Sequence, residues 1–228
     1  MTIFKFALTR AFKNVFTLII TAILPIGTIL IRTMWEDDAI NGFMLIALFL
    51  MIGAVLLSNN ILKDKVDGVI PRILLGPVTM TDYFFQNLLA CMIPLTLQSF
   101  SVGIIGVLLH DWTLSFGLAL GLSYTLFSVA MTTLCFSFYA LFREKETGNL
   151  GILAVTMMSA MLGGLTIPKS LLPITVQRVG ALLPPHWISR SIYSLNTGEI
   201  TLEFWIYQGI LVLFAVIFLL FGGKRRMI

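Results

Sequence analysis

Long apolar runs dominate the chain, and short stretches rich in polar residues, proline or glycine separate them. A membrane-spanning helix needs about 20 largely apolar residues to cross about 30 Å of hydrocarbon. Six runs approach or exceed that length: Val15–Ile31, Gly42–Leu62, Phe84–Leu109, Thr113–Phe142, Leu150–Thr166 and Phe204–Gly222. The pattern therefore predicts an all-α membrane protein with six transmembrane helices in a single domain, residues 1–228.

The segment before the first run has a helical, two-sided pattern. Apolar Phe4, Leu8 and Phe12 recur every four residues, and basic Lys5 and Lys13 lie on an adjacent line. This spacing predicts an amphipathic helix over residues 1–14 that lies at the cytoplasmic membrane interface. Two interpretations are open: a membrane-surface anchor that leads into the first span, or a lever that touches a cytoplasmic partner.

Composition excludes a water-soluble fold. Hydrophobic residues make up 58% of the chain and charged residues 11%, and the mean hydropathy is +0.97. Soluble domains carry roughly 25% charged residues, so this chain cannot cover a water-exposed surface. We expect a multi-pass protein surrounded by lipid in a plasma or inner cell membrane of bacterial type. Cys91 and Cys135 lie in apolar runs and are predicted to be small buried side chains.

The 15 Lys and Arg residues are divided unevenly between the two sides that six spans define. One side, which includes both termini, receives eleven of them: Lys5, Arg10, Lys13, Lys63, Lys65, Arg72, Arg143, Lys145, Lys224, Arg225 and Arg226. The other side receives Arg32, Lys169, Arg178 and Arg190. Because short cytoplasmic loops carry an excess of Lys and Arg, the predicted topology places both termini in the cytoplasm.

Missing residue types narrow the function. The six runs contain no Asp, Glu, Lys, Arg or His, whereas proton pumps and ion-coupled transporters usually carry such groups at mid-membrane. Sodium sites built from backbone carbonyls stay open as an alternative. His110 and His186 lie near no second metal ligand in the sequence, so neither a metal site nor a catalytic site is predicted. A phosphate-binding GxxxxGK[ST] loop is also absent, so this chain is expected to bind no cofactor, and any ATP and Mg²⁺ must be held by another polypeptide.

The loop 63–83, predicted to be cytoplasmic, mixes charged and apolar residues. Gly68, Pro71 and Gly76 divide it into short pieces. Its pattern predicts a short, partly apolar helix that fits a groove on a partner. Thr81 and Asp82 are predicted to cap the start of the third span.

The segment 167–203, predicted to be extracellular, consists of apolar pieces separated by prolines. The breaks fall at Pro168, Pro173 and the pair Pro184-Pro185. Each piece is too short to cross a bilayer and too apolar for a solvated loop. We therefore expect re-entrant or interfacial helices, with Trp187 at the level of the lipid headgroups.

This order of elements resembles the permease subunits of ATP-binding-cassette transporters of the type-2 export family, over essentially the whole chain. The sequence DGVIPRILLGPVTMTDYFFQN (67–87) is similar to the coupling segment of that family. The sequence GGLTIPKSLLP…ALLPPHW (163–187) is similar to its outer re-entrant segment. One departure is that Lys63 and Lys65 stand where many relatives carry glutamates.

The resemblance implies a half-transporter that pairs with a second copy, or with a related permease, above two separate nucleotide-binding ATPase subunits. The ATPase-coupling residues it implies are Lys63, Asp64, Lys65, Asp67, Gly68, Arg72, Arg143, Glu144, Lys145 and Glu146. The outer-gate residues it implies are Gly163, Gly164, Pro168, Pro184, Pro185 and Trp187. A pathway without fixed charges suits a lipophilic or amphipathic substrate, such as a drug, an antimicrobial peptide or a lipid-like molecule. Membrane lipid is an expected partner and nucleic acid is not.

Two other classes of function stay open. A membrane immunity or sensor protein would bind a toxin or a lipid through segment 167–203 without pumping. A lipid-modifying enzyme would need a cluster of carboxylates or histidines at the interface, and Glu36-Asp37-Asp38 is the one candidate. Because no histidine lies near that triplet in the sequence, it is predicted to be a solvated turn.

Overall fold

A computed structural model describes residues 2–13, 17, 19–31, 39–142, 144–167, 171–197 and 200–224, and these residues form helices and their connections. The shorter helices are α1 (Thr2–Lys13), α2 (Leu24–Leu30, after a π-helical turn at Ile19–Ile23), α4 (Val69–Leu74), α8 (Ile174–Gly180) and α9 (Pro184–Asn196). The longer helices are α3 (Ala39–Val66), α5 (Met80–Leu109), α6 (Leu114–Tyr139), α7 (Lys145–Gly163) and α10 (Leu202–Lys224). The predicted all-α class is confirmed for the described part of the chain.

Four of the six predicted spans are confirmed as helices long and apolar enough to cross a membrane. Within the described residues these are α3, α5, α6 and α10, of 28, 30, 26 and 23 residues. Helices α3, α5 and α10 extend beyond the apolar runs that predicted them, whereas α6 is slightly shorter than its run. At 1.5 Å per residue the four are about 35–45 Å long, so their ends reach past the hydrocarbon.

The first and fifth runs form shorter or more polar helices. The first is helical over Ile19–Leu30, where Pro25 lies in the first turn of α2 and the preceding turn is π-helical; residues 14–16 and 18 lie outside the described residues. The fifth run is part of α7, which starts earlier than predicted, at Lys145, and therefore has a charged first turn. Six membrane crossings thus remain a prediction.

Contacts along the first run nevertheless place it across the helix bundle. Thr21 lies against Gly53, in the middle of α3, where an added Cβ would be 2.8 Å from the threonine methyl. Further on, the carbonyl oxygen of Ile29 is 2.8 Å from Nε2 of His110, just beyond the end of α5. The chain therefore passes from the end of the bundle that holds α1 to the opposite end.

Helix α6 lies at the centre of the fold and contacts α3, α5, α7, α9 and α10. Its closest approach is to α5, where a Cβ on Gly103 would lie 2.3 Å from the carbonyl oxygen of Gly117. Only glycine allows two helix backbones to touch in this way. Most buried hydroxyls of α6 bond to their own helix; Ser128, for example, donates to the carbonyl of Tyr124. Several of the polar residues in this span are therefore satisfied within the helix, whereas Tyr124 donates to the carbonyl of Phe43 on α3.

The bundle has two chemically different ends. The α1 end contains α1, the last turn of α3, α4, the start of α5, the end of α6 and the start of α7. The α9 end contains the end of α7, together with α8, α9 and the start of α10. Basic side chains of described residues gather at the α1 end: Lys5, Arg10, Lys13, Lys63, Lys65, Arg72 and Lys145. This asymmetry agrees with the charge pattern on which the predicted topology rests.

Candidate functional site

A short helix projects from the α1 end, within the predicted coupling segment. Gly68 has φ +67°, a left-handed conformation that suits glycine and separates α3 from α4. Ile70 is buried and anchors α4 to the core, whereas Arg72 is exposed and Leu75 is 90% exposed. Segment 63–83 therefore contains the predicted short helix, fixed on one side and presenting a cation and an apolar side chain on the other.

The last turn of α3 holds a buried carboxylate. The Asp64 carboxylate accepts two hydrogen bonds from the Arg10 guanidinium, at 2.6 and 2.8 Å, and one from the Tyr83 hydroxyl at 2.6 Å. Asp64 is 6% exposed. The hydrogen bond to Asp64 raises the pKa of Arg10 above its ordinary value, so the guanidinium stays charged. This triad, Arg10–Asp64–Tyr83, ties α1 to α3 and α5.

Two further charged residues on the same turn bind other helices. The Lys65 ammonium donates to the carbonyl oxygens of Ala140 and Phe142, at 2.8 and 2.6 Å. These carbonyls follow the end of α6, where helices leave acceptors unpaired. Asp67 accepts from the Lys145 ammonium at 2.8 Å, at the start of α7. The end of α3 therefore fastens α1, α5, α6 and α7 at once.

The predicted coupling residues thus fall into two groups. Asp64 and Lys65 are at least half-buried and engaged within the chain, and the exposed Asp67 is paired with Lys145. The exposed members are Lys63, Asp67, Arg72, Glu144 and Glu146; Lys145 is half-buried, Gly68 forms the turn and Arg143 lies outside the described residues. The predicted cap of the third span is wrong in part: Thr79 is the N-cap of α5, and Asp82 completes the capping box by accepting from Thr79.

The α9 end brings the predicted Gly-Gly and Pro-Pro pairs into direct contact. A Cβ on Gly163 would lie 2.5 Å from Cβ of Pro185 and 2.7 Å from its carbonyl carbon. Gly164 has φ +84° and ends α7, and Pro184 and Pro185 are buried in the first turn of α9. Glycine at position 163 is therefore what allows α9 to start against the end of α7.

The rest of the predicted re-entrant segment folds into α8 and α9. The indole Nε1 of Trp187 donates to the carbonyl of Ala181 at 2.8 Å, and its ring lies 5.9 Å from that of Tyr207 on α10. Gly180 at the end of α8 approaches the carbonyl of Leu162, to which an added Cβ would be 2.3 Å. Segment 171–196 therefore packs on α7 and α10; Pro168 lies outside the described residues.

A buried polar cluster at this end was not predicted. Nε2 of Gln208 on α10 lies 2.7 Å from Oγ of Ser191 on α9 and 3.0 Å from Oγ of Ser123 on α6. These two hydroxyl oxygens are 3.1 Å apart. The signal in the sequence was Gln208 itself, the one amide in the sixth apolar run, but no periodicity links it to the two serines.

Apolar surface dominates the lipid-facing side of the bundle. A groove with a volume of about 200 Å³ runs between α5, α6 and α10, and its lining residues are Leu88, Leu126, Val129, Thr133, Val212, Ala215, Val216 and Leu219. The Thr133 hydroxyl, its one polar group, bonds to carbonyls of its own helix. Among the described residues there is no group of three His, Cys, Asp or Glu side chains that could hold a metal ion, and Cys91 and Cys135 are buried free thiols.

An apolar helical bundle with one basic end, a projecting short helix and a Pro-rich helical segment at the other end defines a polytopic α-helical membrane protein. Residues 37–224 match the family model described as ABC-2 family transporter protein, so the chain belongs to that family. A comparison with curated proteins finds no match. The chain is therefore a membrane permease, a transport subunit rather than an ATPase, and the family implies an ATP-binding partner subunit.

Proposed function

We propose that the chain is the membrane-spanning half of an ATP-driven exporter, that two such permeases pair, and that a separate ATPase docks at the α1 end. In this proposal the α1 end faces the cytoplasm of a bacterial cell, all six apolar runs cross the cell membrane, and the 167–203 segment forms the outer gate. The substrate is lipophilic or amphipathic. The observation that carries the proposal is the projecting helix α4, fastened to the rest of the bundle through one turn of α3.

The surface of α4 suits a protein partner better than water or lipid. Leu75 is 90% exposed beside the exposed Arg72, at the end of the bundle where the basic residues gather. Arginine is enriched among the residues that dominate binding at protein interfaces, and an exposed apolar side chain beside it adds surface that a partner can bury. The exposed acids Glu144 and Glu146 at the start of α7 would complete a mixed-charge contact.

Movement of α4 would reach several helices at once. Asp64, Lys65 and Asp67 lie within one turn of α3 and bind α1, α5, α6 and α7. When the ATPase dimer closes on ATP, a push on α4 through Gly68 would therefore move the α1 end as one body. A coupling role for this segment is also what the resemblance to the type-2 export family implies.

Six crossings are supported by the path of the chain. The first run passes from the α1 end to His110 at the α9 end, and α7 passes from Asp67 to Pro185. With 19 residues, α7 is about 28 Å long, close to the thickness of the hydrocarbon. Both segments therefore follow the direction of the four confirmed apolar helices.

Pairing of two permeases is supported by the outward face of α7. Four exposed apolar residues follow helical spacing along it: Leu150, Leu153, Met158 and Met161. The polar first turn of α7 makes this helix less suited to lipid than α10, and a second protein copy would cover it. Cross-linking between Met158→Cys residues of two chains, without cross-linking between Val216→Cys residues on exposed α10, is the expected result.

The test is affinity purification of the tagged full chain from native membranes, with mass spectrometry of the proteins that accompany it. We expect a stoichiometric ATPase with a phosphate-binding loop. Leu75→Asp should reduce its recovery at least tenfold, whereas the same change at Leu182, which is 72% exposed at the α9 end, should not alter it.

Recovery of the wild-type chain without any ATPase would contradict the proposal. Recovery with a toxin or lipid ligand instead would favour the immunity or sensor function. Equal loss of the ATPase in both leucine variants would show that α4 is not the docking element.

A further inference from the structure

The Gln208–Ser191–Ser123 cluster joins three helices by side-chain hydrogen bonds alone. Gln208 is 4% exposed, and the two serines are fully buried. With a rise of 1.5 Å per residue, Gln208 lies about 9 Å from the first residue of α10 and Ser123 about 13 Å from the first residue of α6. The cluster is therefore inside the apolar part of the bundle, in the half nearer the α9 end.

The hydrogen bonds of the cluster have a definite direction. The Gln208 amide N–H groups donate to both hydroxyls, and the Ser123 hydroxyl donates to the carbonyl of Ala119 at 2.9 Å. The Ser191 hydroxyl hydrogen is then left to point at Ser123. In the described part of the chain Oε1 of Gln208 has no hydrogen-bond partner. Half of the amide is thus used to hold helices together while the other half stays unpaired, at a cost that natural proteins rarely accept without a role.

The three helices are not held equally. Helices α6 and α10 are joined a second time near the α1 end, where the Ser137 hydroxyl donates to the carbonyl of Phe218. Helix α9 has Ser191 as its polar tie to them. Its other buried residues in this region are the apolar Ile188, Ile192 and Leu195, together with Ser189, whose hydroxyl has no hydrogen-bond partner in the described part of the chain. Apolar contacts are exchanged for lipid at little cost, but a hydrogen bond has no water to replace it there. Loss of the Gln208–Ser191 bond would therefore weaken the attachment of α9, leaving Ser191 only its contact with Ser123, while α6 and α10 stay joined through Ser137.

We propose that Gln208 is a positioning residue of the outer gate: its hydrogen bonds to Ser191 and Ser123 hold α9 closed against α6 and α10. This inference rests on the proposed function for the gate itself. Opening moves Ser191 away while Gln208 keeps its hydrogen bond to Ser123. In each cycle the Gln208 amide therefore changes from joining three helices to joining two.

The experiment measures exposure of α9 in the full chain, without any ATPase. Ser189 is fully buried on α9, and Ser189→Cys is nearly isosteric. Its maleimide labelling in membranes, resolved from that of Cys91 and Cys135 by peptide mass spectrometry, reports opening. In that background Gln208→Leu should increase labelling about three- to twentyfold, the range that interhelical hydrogen bonds in membranes correspond to.

Two controls distinguish loss of the Gln208 hydrogen bonds from a general loss of stability. Ser99→Ala removes an equally buried hydroxyl that bonds only within α5, to Leu95, and should leave labelling unchanged. Adding Ser191→Ala to Gln208→Leu should increase labelling by less than Ser191→Ala does alone, because the Gln208–Ser191 bond is already gone and only the Ser191–Ser123 bond is left to remove.

Unchanged labelling in Gln208→Leu would overturn the inference, and so would a parallel rise at Cys135, which would indicate loosening of the whole bundle. Neither result depends on whether an ATPase binds at the α1 end. Failure of this proposal and failure of the proposed function are therefore distinguishable.

Discussion

Replacing Asp64 by Ala tests how firmly α1 is attached to the bundle. The change removes the acceptor of two Arg10 hydrogen bonds and of the Tyr83 hydroxyl. It leaves that hydroxyl buried without its partner. Breaking a fully buried ion pair from one side costs about 3–5 kcal/mol. The Arg10 side chain is 37% exposed and regains water, so we expect about 2–3 kcal/mol.

The assay follows detachment of α1 through a buried position on it. Ala7 is 6% exposed and lies on a helix that packs against α5, and Ala7→Cys should react with maleimide only when α1 leaves the bundle. A loss of about 2–3 kcal/mol corresponds to about 30- to 150-fold faster labelling. Tyr83→Phe, which removes only one hydrogen bond worth about 1 kcal/mol, should give about fivefold.

The adjacent exposed Lys63 supplies the matched control, since Lys63→Ala removes a charge without touching the triad and should leave labelling at the wild-type rate. The native thiols contribute little background because Cys91 and Cys135 are buried. Equal labelling of the Asp64→Ala and Lys63→Ala variants would refute the reasoning. It would mean that α1 is held by its apolar face and that the ion pair adds nothing.

Two further predictions concern the other contacts at the two ends. Gly163→Ala should destabilise the α9 end by about 1–3 kcal/mol, because the added methyl group meets Pro185. Gly209→Ala, with open space around the added methyl group, should be neutral. Thermal unfolding of the detergent-solubilised chain compares the two variants, and equal unfolding midpoints would contradict the close packing. Lys65→Met should lower the thermal unfolding midpoint more than Lys63→Met, because Lys65, unlike Lys63, binds carbonyls beyond the end of α6. A larger decrease for Lys63→Met would show that those carbonyls do not need the ammonium.

The length of the apolar runs predicted the long helices well, because the thickness of the hydrocarbon determines how many apolar residues a spanning helix needs. Runs two, three, four and six each became a long helix; the structure extends runs two and six at both ends and run three at its start, and it shortens run four. Hydropathy is a poorer guide at the boundaries, where polar residues continue a helix beyond the hydrocarbon. Lys65 and Asp82 were assigned to a loop for this reason, although both belong to helices.

Local signals also located one break between helices. Gly68, predicted to divide the 63–83 segment, has the positive φ angle that favours glycine, as does Gly164, which was predicted as an outer-gate residue. Pro184 was read as an interruption and instead opens α9, because proline is suited to the first turn of a helix.

Contacts between distant residues could not be predicted from one sequence. The coupling residues were grouped by nearness along the chain, but Asp64 faces Arg10 and Tyr83 whereas Lys63, one residue earlier, faces solvent. Adjacent helical residues point about 100° apart, so some charged side chains of this turn bind other helices and others face solvent. The same argument applies to Gln208: its isolation in an apolar run showed that it needs a partner, and only the fold shows that the partners are serines on two other helices. The sequence therefore identifies single polar residues that need a partner, and only the fold shows which residues those partners are.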